Sequence, residues 1–509
     1  MSYAILVLFI VSLFILYTRR KSRQYPLPPG PRKLPIVENL FDIPTGGFIW
    51  LDYAKLCQKY NSDIIHLGAL GNSIIILNSA KTVSDILEKR PLVSAGRPPA
   101  TMLGELMGWG GAVIFRSFDD FCKAQRRMIS QGIPPTDPKR FHTKQISATH
   151  DLLRVLPQSD NVMRSLQIWA AEFIMDVTYG LDKEEAQKYL PTALEALDSM
   201  SEAGTPGAFY VDQIPILKYV PEWFPGAGFK RKAREWSDLR IRMTETPFNA
   251  TKERMAKGIA KPSFTLTALE QLNETQDSTN QIEVIKNASV AVYGGGSDTI
   301  VATLGSLIIC MLMNPEIQSK AHEQLQKVLG PGDLPTFSDE PSLPYITAIA
   351  LEAVRLHPVT PLGFPHTLSQ DEIYDGYFLP KDSIIMPNVW SILHNEEDYP
   401  EPYQFKPERY LGADGRIDPK VKDPTTAAFG FGRRVCLGKH IALASLWISV
   451  ASILTCYTIE PELDEDGKPM KPRAEWYPGP TLFNHPLPFK CRFVPRSKDI
   501  ETSLGVGAM

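Results

Sequence analysis

The sequence Phe429-Gly430-Phe431-Gly432-Arg433-Arg434-Val435-Cys436-Leu437-Gly438 places one cysteine in a glycine-rich loop, directly before an apolar run that extends to about Cys456. Because that run is compatible with a helix, Cys436 is expected just before a helix N-terminus, where the positive end of the dipole favours a thiolate. A thiolate held this way is a good ligand for a soft metal centre, and haem iron is the leading candidate. Gly432 and Gly438 would let a flat macrocycle approach the backbone.

Two other interpretations of this loop stay open at this point. A cysteine without such surroundings is most often an ordinary buried thiol. His440 is a competing metal ligand because it lies one helical turn after Cys436, although a histidine in that place is more often a packing or surface residue.

The loop matches the pattern F-x-x-G-x-R-x-C-x-G at Phe429, Gly432, Arg434, Cys436 and Gly438, and it resembles the haem-binding loop of the cytochrome P450 family. The resemblance implies that Cys436 is the axial ligand of haem b (iron protoporphyrin IX) and that Arg434 pairs with a haem propionate. It also implies a cytochrome P450 fold, mainly α-helical with small β-sheets, for most of the chain.

Residues 281–313 predict one long helix that ends before Asn314-Pro315. Its middle holds Gly294-Gly295-Gly296, which costs roughly 2–3 kcal/mol relative to alanine and calls for compensation by a closely approaching cofactor and a widened turn. With Asp298 and Thr299 the segment resembles the family's G-G-x-D/E-T signature, in which the acid and the hydroxyl handle the protons that the reaction consumes. The alternative is a glycine-weakened core helix with a capping-type Asp-Thr pair.

Glu352 and Arg355 are three residues apart in a predicted helix over 345–356, so they share one face. The family joins such an E-x-x-R pair to a later P-E-R arginine, which is Arg409 here. The resemblance therefore implies a buried, structural ion network of these three residues that supports the haem loop. A surface pair between Glu352 and Arg355 is the alternative.

Residues 118–130 resemble the family's W-x-x-x-R helix incompletely, because Cys122 stands at the tryptophan position and Gln125 precedes Arg126. By resemblance Arg126 and His366 each reach a haem propionate, and the missing indole leaves one haem contact in doubt. Alternatively, Arg126 belongs to a basic helix face that is solvated or docks an acidic electron donor.

The substrate pocket is expected to be apolar, with few charges, which favours a bulky apolar substrate. The segments 407–416 and 491–497 resemble the fungal branch of the family that serves secondary metabolism. A terpenoid is therefore the preferred substrate class, and an aromatic, indole or polyketide substrate is the alternative. The candidate pocket residues are Val292, Tyr293, Gly295, Val359, Leu362, Phe364, Leu482 and Phe483.

Length alone, at 509 residues, suggests two to four domains, whereas the resemblance implies one large catalytic domain. A net charge of −3 gives no sign of nucleic-acid binding. Six scattered cysteines without a C-x-x-C pair argue against a disulfide framework and for a reducing compartment.

Residues 2–18 are almost wholly apolar and would span roughly 25 Å as a helix, enough for a thin bilayer such as that of the endoplasmic reticulum. The basic residues that follow predict a single-pass anchor with a cytosolic catalytic domain. A cleaved signal peptide is the alternative, but the segment has no basic n-region and no clean cleavage site. The expected division is an anchor and basic flank over 1–24, a proline-rich hinge over 25–40, and a haem-thiolate monooxygenase domain over 41–509.

The resemblance implies a monooxygenase that inserts one oxygen atom of O2 into an apolar small molecule. No flavin or nicotinamide domain is visible in the sequence, so electrons are expected from an NADPH–cytochrome P450 reductase in the same membrane lipid. One alternative is a haem-thiolate isomerase or dehydratase that needs no reductase; such enzymes often lack the acid–alcohol pair that Asp298 and Thr299 supply. The other is a non-catalytic haem-binding or sensor protein.

Overall fold

The computed structural model describes residues 25–205, 207–272, 278–477 and 482–500. The expected membrane anchor and its basic flank lie outside the described residues. The helices are α1 (Ile49–Lys59), α2 (Ala80–Val83), α3 (Asp120–Gly132), α4 (His142–Val155), α5 (Val162–Tyr179), α6 (Lys183–Gly204), α7 (Tyr210–Gln213), α8 (Gly228–Ala256), α9 (Phe264–Glu270), α10 (Ser278–Ser297), α11 (Thr299–Met313), α12 (Pro315–Val328), α13 (Pro344–Leu356), α14 (Val389–Leu393), α15 (Thr425–Ala428) and α16 (Lys439–Cys456).

The strands form small sheets at the edge of this helical body. A four-stranded sheet has the order β1–β2–β6–β3, in which β2 and β6 are parallel and the other neighbours are antiparallel. Two further pairs, β4–β5 and β7–β8, are antiparallel. The strands are β1 (Ile64–Ala69), β2 (Asn72–Leu77), β3 (His366–Thr367), β4 (Glu372–Tyr374), β5 (Tyr377–Leu379), β6 (Ile384–Pro387), β7 (Tyr457–Pro461) and β8 (Cys491–Pro495).

The long glycine-bearing helix predicted over 281–313 is interrupted. Helix α10 ends at Ser297, α11 begins at Thr299, and Asp298 lies between them with φ −102° and ψ −39°. A hydrogen bond from a side chain to the backbone explains the interruption. The Thr299 hydroxyl donates to the carbonyl of Gly295, four residues earlier, at 2.8 Å. The prediction of one continuous helix is therefore wrong at Asp298.

Two apolar clusters meet at this interruption. Helix α11 is apolar on every side and packs with α13 and α16 in the first cluster, which contains Ile308, Ile349 and Val450. Helix α10 packs with α5, α3 and α8, and it belongs to the second cluster, which contains Val292 and Ile174. A helix that is hydrophobic all round belongs in the interior of a large protein, so the chain crosses the core at the break.

The helix after the cysteine loop begins at Lys439, with Gly438 at its N-cap, and is buried from Ser445 to Cys456. By length and composition alone, the stretches Thr279–Met313 and Lys439–Cys456 could each span a membrane. Both are mostly buried inside the fold, which is the ordinary situation of a core helix.

Candidate active site

A large cavity lies between helix α10 and the cysteine loop. It encloses about 2140 Å³ of space, counting its opening to solvent. Its walls are mainly apolar, and the polar or reactive residues among them include Arg97, Arg126, Thr299, His366, Arg434 and Cys436.

Cys436 is presented to this cavity by the tight loop that precedes α16. Its backbone N–H donates to the carbonyl of Phe429 at 2.8 Å, and Gly430 allows the turn with φ 77°. Burial raises the pKa of the Cys436 thiol, whereas the backbone N–H groups of Gly438 and Lys439 and the charge of Arg126 lower it. A coordinating metal would deprotonate this thiol outright, so the loop presents to the cavity a group that is able to bind a metal ion.

Gly432 and Gly438 were both expected to let a flat macrocycle approach the backbone, and the surroundings of Gly432 differ from that expectation. A Cβ at Gly432, where φ is 55°, would lie 2.3 Å from the carbonyl oxygen of Leu87, so this glycine allows a close approach of two protein backbones. A Cβ at Gly438 would make only ordinary contacts, with Ile441 and with the Cys436 sulfur. The expectation that Gly432 makes room for a macrocycle is therefore corrected.

Three guanidinium groups line one side of the cavity and have no carboxylate partner within the described ranges. Arg434 donates to the carbonyls of Ala95, Val113 and Arg116. Arg97 donates to three further carbonyls, and Arg126 donates to that of Val435. Burial lowers the pKa of each, and the charge of Arg434 lowers the pKa of the other two further. The positive charge of such a cluster requires an anionic group in the cavity to compensate it.

Sequence reasoning missed Arg97, which is 8% exposed. It follows Gly96 in a stretch that carries none of the motifs considered in the sequence. The available signal was an arginine between Gly96 and Pro98, but nothing local connects it to Arg126 or Arg434, which are distant in sequence.

Three further side chains on this side of the cavity form hydrogen bonds to neighbouring segments: His366, Gln125 and Cys122. The His366 Nδ1 lies 2.7 Å from the carbonyl of Ser94, and burial lowers the pKa of its imidazole well below the usual value. Gln125 donates to the carbonyl of Gly111 at 2.8 Å. Cys122 is fully buried and accepts from Arg434 at 3.2 Å, so at the tryptophan position a thiol contacts the arginine cluster.

Arg126 points towards the cavity and the cysteine loop, while its neighbours Lys123 and Arg127 are exposed. The interpretation of Arg126 as part of a fully solvated basic face is therefore wrong, because its guanidinium is partly buried at Val435. His440, the competing ligand, lies outside the cavity wall, and its buried Nε2 has no hydrogen-bond partner within the described part of the chain.

Together these features fit a haem group. Cys436 would supply a sulfur ligand for its iron, and the cluster of Arg97, Arg126 and Arg434 would supply cationic partners for its carboxylates. On the opposite wall, a Cβ at Gly295 would meet no protein atom within 4 Å, so this glycine leaves open space beside the cavity.

The three consecutive glycines of α10 differ in their surroundings. Gly296 faces protein, since a Cβ there would lie 2.6 Å from Ile174, whereas Gly294 has only ordinary contacts and Gly295 faces the cavity. Helix packing therefore requires Gly296, and the cavity requires Gly295.

Asp298 and Thr299 face different directions. Thr299 lines the cavity with its hydroxyl bonded to Gly295. Asp298 lies behind this wall, and its Oδ2 is 3.1 Å from Nε2 of His485. Sequence reasoning did not single out His485, because it comes from a loop nearly two hundred residues later.

Glu352, Arg355 and Arg409 meet in one buried network. Glu352 accepts two hydrogen bonds from Arg355, at 2.7 and 2.8 Å, and two from Arg409, both at 3.1 Å. Glu352 and Arg355 are completely buried, so the alternative of a surface pair is wrong. Helix α13, which carries the pair, packs against α15 and α16 on either side of the cysteine loop.

Five of the eight candidate pocket residues line the cavity: Val292, Gly295, Val359, Phe364 and Phe483. The other three lie elsewhere. Tyr293 is buried against Tyr179, with ring centroids 6.3 Å apart. Leu362 packs against the cluster around Trp50 and Leu67. Leu482 packs beside Gly204 of α6. These three assignments are corrected because the side chains turn away from the cavity.

Comparison with known proteins places the chain in a family. The family model for cytochrome P450 matches residues 28–492. Cytochrome P450 monooxygenase 98 of Postia placenta is 53% identical over 97% of this chain and 95% of its own length. The tryptamine 4-monooxygenase of Psilocybe cyanescens is 38% identical over 95% of this chain and 96% of its own length. Cytochrome P450 monooxygenase ple1 of Rhodocybe pseudopiperita is 37% identical over 95% of this chain and 92% of its own length.

The matched range contains the cysteine loop, the three arginines and the Asp298–Thr299 break, so the likeness extends over the whole cavity. Members of this family are haem-dependent oxidoreductases, and the named fungal relatives are monooxygenases. The prediction made from the cysteine loop is confirmed at the level of fold and enzyme class: this chain belongs to the cytochrome P450 family of monooxygenases.

Proposed function

We propose that this protein is a membrane-anchored haem-thiolate monooxygenase that inserts one oxygen atom of O2 into a bulky, uncharged, apolar small molecule, with a terpenoid of fungal secondary metabolism as the preferred class. The observation that carries the proposal is the composition of the cavity wall: it is mainly apolar and, within the described ranges, includes no aspartate or glutamate.

The absence of a carboxylate from the described wall bears on the choice between substrate classes. One relative is named as a monooxygenase of tryptamine, whose aliphatic amine is protonated at neutral pH. A desolvated ammonium group needs an anionic partner, and the described wall offers it no aspartate or glutamate. The wall therefore supports a neutral substrate.

A neutral aromatic or indole compound is the second candidate. Phe364 lies between Phe115 and Phe483, with ring centroids 6.4 and 6.2 Å away and the rings edge to face. Such an arrangement favours an aromatic guest, but it packs equally well against the methyl groups of a terpenoid.

The overall reaction is RH + O2 + NADPH + H+ → ROH + H2O + NADP+. Bound haem b supplies the activation of O2. Cys436 would hold its iron through the sulfur, and the cluster of Arg97, Arg126 and Arg434 would hold its propionates. Thr299 positions water at the cavity wall, and Asp298 delivers protons to that position from behind the wall.

The electron donor proposed here is an NADPH–cytochrome P450 reductase. Lys123 and Arg433 are exposed and lie over the same ring, that of Phe118, beside the cysteine loop. This basic surface suits an acidic partner. The apolar segment 2–18 and its basic flank support anchoring in the endoplasmic reticulum membrane, with the catalytic domain in the cytosol.

An optical titration tests the substrate class. The haem-loaded protein is titrated with a sesquiterpene hydrocarbon, neutral indole, tryptamine and lauric acid, and the haem Soret band is recorded. We expect the sesquiterpene to shift the band at the lowest concentration and tryptamine to shift it least. A tighter response to tryptamine would contradict the proposal.

Turnover with a purified reductase tests the reaction class. We expect a hydroxylated product only when NADPH, O2 and the reductase are all present. A product that forms without NADPH would instead support a haem-thiolate isomerase or dehydratase.

A further inference from the structure

His485 contacts Asp298 from the loop that also places Phe483 in the cavity wall. The Nε2 of His485 is 3.1 Å from Oδ2 of Asp298, and the two side chains are 19% and 16% exposed. The family signature ends at Asp298 and Thr299, so this contact is a property of the chain's own later residues.

The loop is fixed in place on both sides of His485. The backbone N–H of Asn484 donates to Val359 at 2.7 Å, and the carbonyl of His485 accepts from Tyr477 at 3.0 Å. Next to Tyr477, the indole of Trp476 donates to Ser306 of α11 at 3.1 Å. His485 is therefore held against the same helix that begins beside Asp298.

A second carboxylate, that of Asp198 in helix α6, acts electrostatically on the imidazole. The charge of Asp198 acts on His485 in the same sense as that of Asp298. Asp198 is exposed, and Glu195, one turn earlier, adds to the negative potential around it. His485 therefore lies in the field of two carboxylates, of which Asp198 is the more exposed.

The geometry points to His485 as a positioning residue of the monooxygenase: we propose that it fixes the Asp298 carboxylate and passes protons to it from solvent beside Asp198. This inference rests on the proposed roles of Asp298 and Thr299 and adds a member to their route. In each transfer the imidazolium gives its Nε2 proton to Oδ2 of Asp298 and becomes neutral. Asp298 passes a proton on to water at Thr299 and returns to the carboxylate form. A hydronium ion of the solvent beside Asp198 then reprotonates the imidazole at Nε2 and leaves water, so one proton moves inward in each cycle and charge is conserved.

The electrostatics support a titrating role. Burial opposes the charged form of His485, but the two carboxylates outweigh it, and the pKa of the imidazole is raised above its usual value. Partial desolvation and repulsion by Asp298 raise the pKa of Asp198. The imidazole thus holds its proton more firmly than a free histidine does, and the Asp198 carboxyl also holds its proton more firmly than usual.

The test compares full-length, haem-loaded His485→Gln with wild type and with the control His150→Gln, which replaces a histidine of α4 remote from the cavity wall. Glutamine can still donate a hydrogen bond to Asp298 but cannot carry a proton. Hydrogen peroxide and product are measured per NADPH consumed, with a sesquiterpene hydrocarbon as substrate, from about pH 6 to about pH 9.

We expect His485→Gln to lose product formation on the order of tenfold, less than the 10²–10⁴ of a group that transfers a proton directly, and to release more peroxide. The control should match wild type. Iodosylbenzene supplies an oxygen atom without requiring electrons or protons, so turnover with it should be equal in the variant and wild type. If the product formed per NADPH consumed by His485→Gln equals that of wild type at every pH, the proposal is overturned.

A measurement without turnover keeps the inference testable if the variant folds poorly. The histidine ring signals of 13C-labelled protein are titrated by NMR in the diamagnetic ferrous carbonyl form. Asp298→Asn should lower the pKa of the His485 signal, and an unchanged pKa would overturn the inference. Wild-type protein that forms no product with NADPH would instead count against the proposed function, so the two failures are distinguishable.

Discussion

The hydroxyl of Thr299 donates to the carbonyl of Gly295 across the break between α10 and α11, at 2.8 Å. In a continuous helix this carbonyl would accept from the backbone N–H of Thr299. The side chain takes its place, and the helix opens at Asp298. The family signature thus opens the helix locally. This opening places Thr299 in the cavity wall and the preceding residue, Asp298, behind that wall.

Thr299→Ala should uncouple NADPH use from product formation. Without the hydroxyl, water at the cavity wall loses its anchor, so we expect peroxide release to rise and product to fall roughly 10²-fold. The matched control is Thr455→Ala in α16, because Thr455 makes the same bond to the carbonyl four residues earlier, at 2.7 Å, away from the cavity wall. If both variants form the same amount of product per NADPH consumed, Thr299 does not have the proposed role.

Gly295→Ala and Gly296→Ala should have opposite effects. At Gly295 the added methyl meets no protein atom, so the fold should gain up to about 1 kcal/mol of helix propensity while haem incorporation falls. At Gly296 the methyl meets Ile174 at 2.6 Å, so stability should fall by about 1–3 kcal/mol. Urea unfolding and the haem content per protein separate the two. Similar haem loss in both variants at unchanged stability would contradict this division.

Glu352→Gln should destabilise the protein strongly. It leaves the guanidiniums of Arg355 and Arg409 buried without an anion, at a cost on the order of 3–5 kcal/mol. Asp52→Asn is the matched control, since Asp52 and Lys55 form an exposed pair at the same spacing, where the expected cost is below about 1 kcal/mol. Urea unfolding midpoints measure both. Equal midpoints would mean that the network adds nothing to stability.

The contact between His485 and Asp298 should make stability depend on pH. The folded pKa of His485 is raised above its usual value of about 6.5, so the contact contributes fully below that pH and loses its effect as pH rises through the folded pKa. The stability difference between wild type and Asp298→Asn, measured from about pH 5 to about pH 9 by urea unfolding, should therefore shrink as pH rises. A difference that grows with pH would contradict the assignment.

The sequence was sufficient to predict those parts of the site that depend on short, local patterns. The cysteine loop encodes its own turn through Gly430 and its own helix start at Gly438. The pair Glu352 and Arg355 needs only one helical face. In these places the chemistry follows from spacing of a few residues, and the family resemblance supplied the fold.

The remaining parts depend on packing between distant segments. Arg97 and His485 reach the site from loops whose sequences carry no periodic signal. Tyr293 is adjacent to Val292, yet helix geometry turns the two side chains to different sides, and only Val292 meets the cavity. Likewise, Gly432 serves a contact with Leu87 that no local pattern reveals.

The central claim is that Cys436 holds haem iron through its sulfur. The most direct test is the visible spectrum of the reduced, carbon monoxide-bound protein, compared among wild type, Cys436→Ser and His440→Gln. We predict a thiolate-type Soret band in wild type and in His440→Gln, and its loss in Cys436→Ser. A thiolate-type band that persists in Cys436→Ser, or one that disappears in His440→Gln alone, would contradict the account.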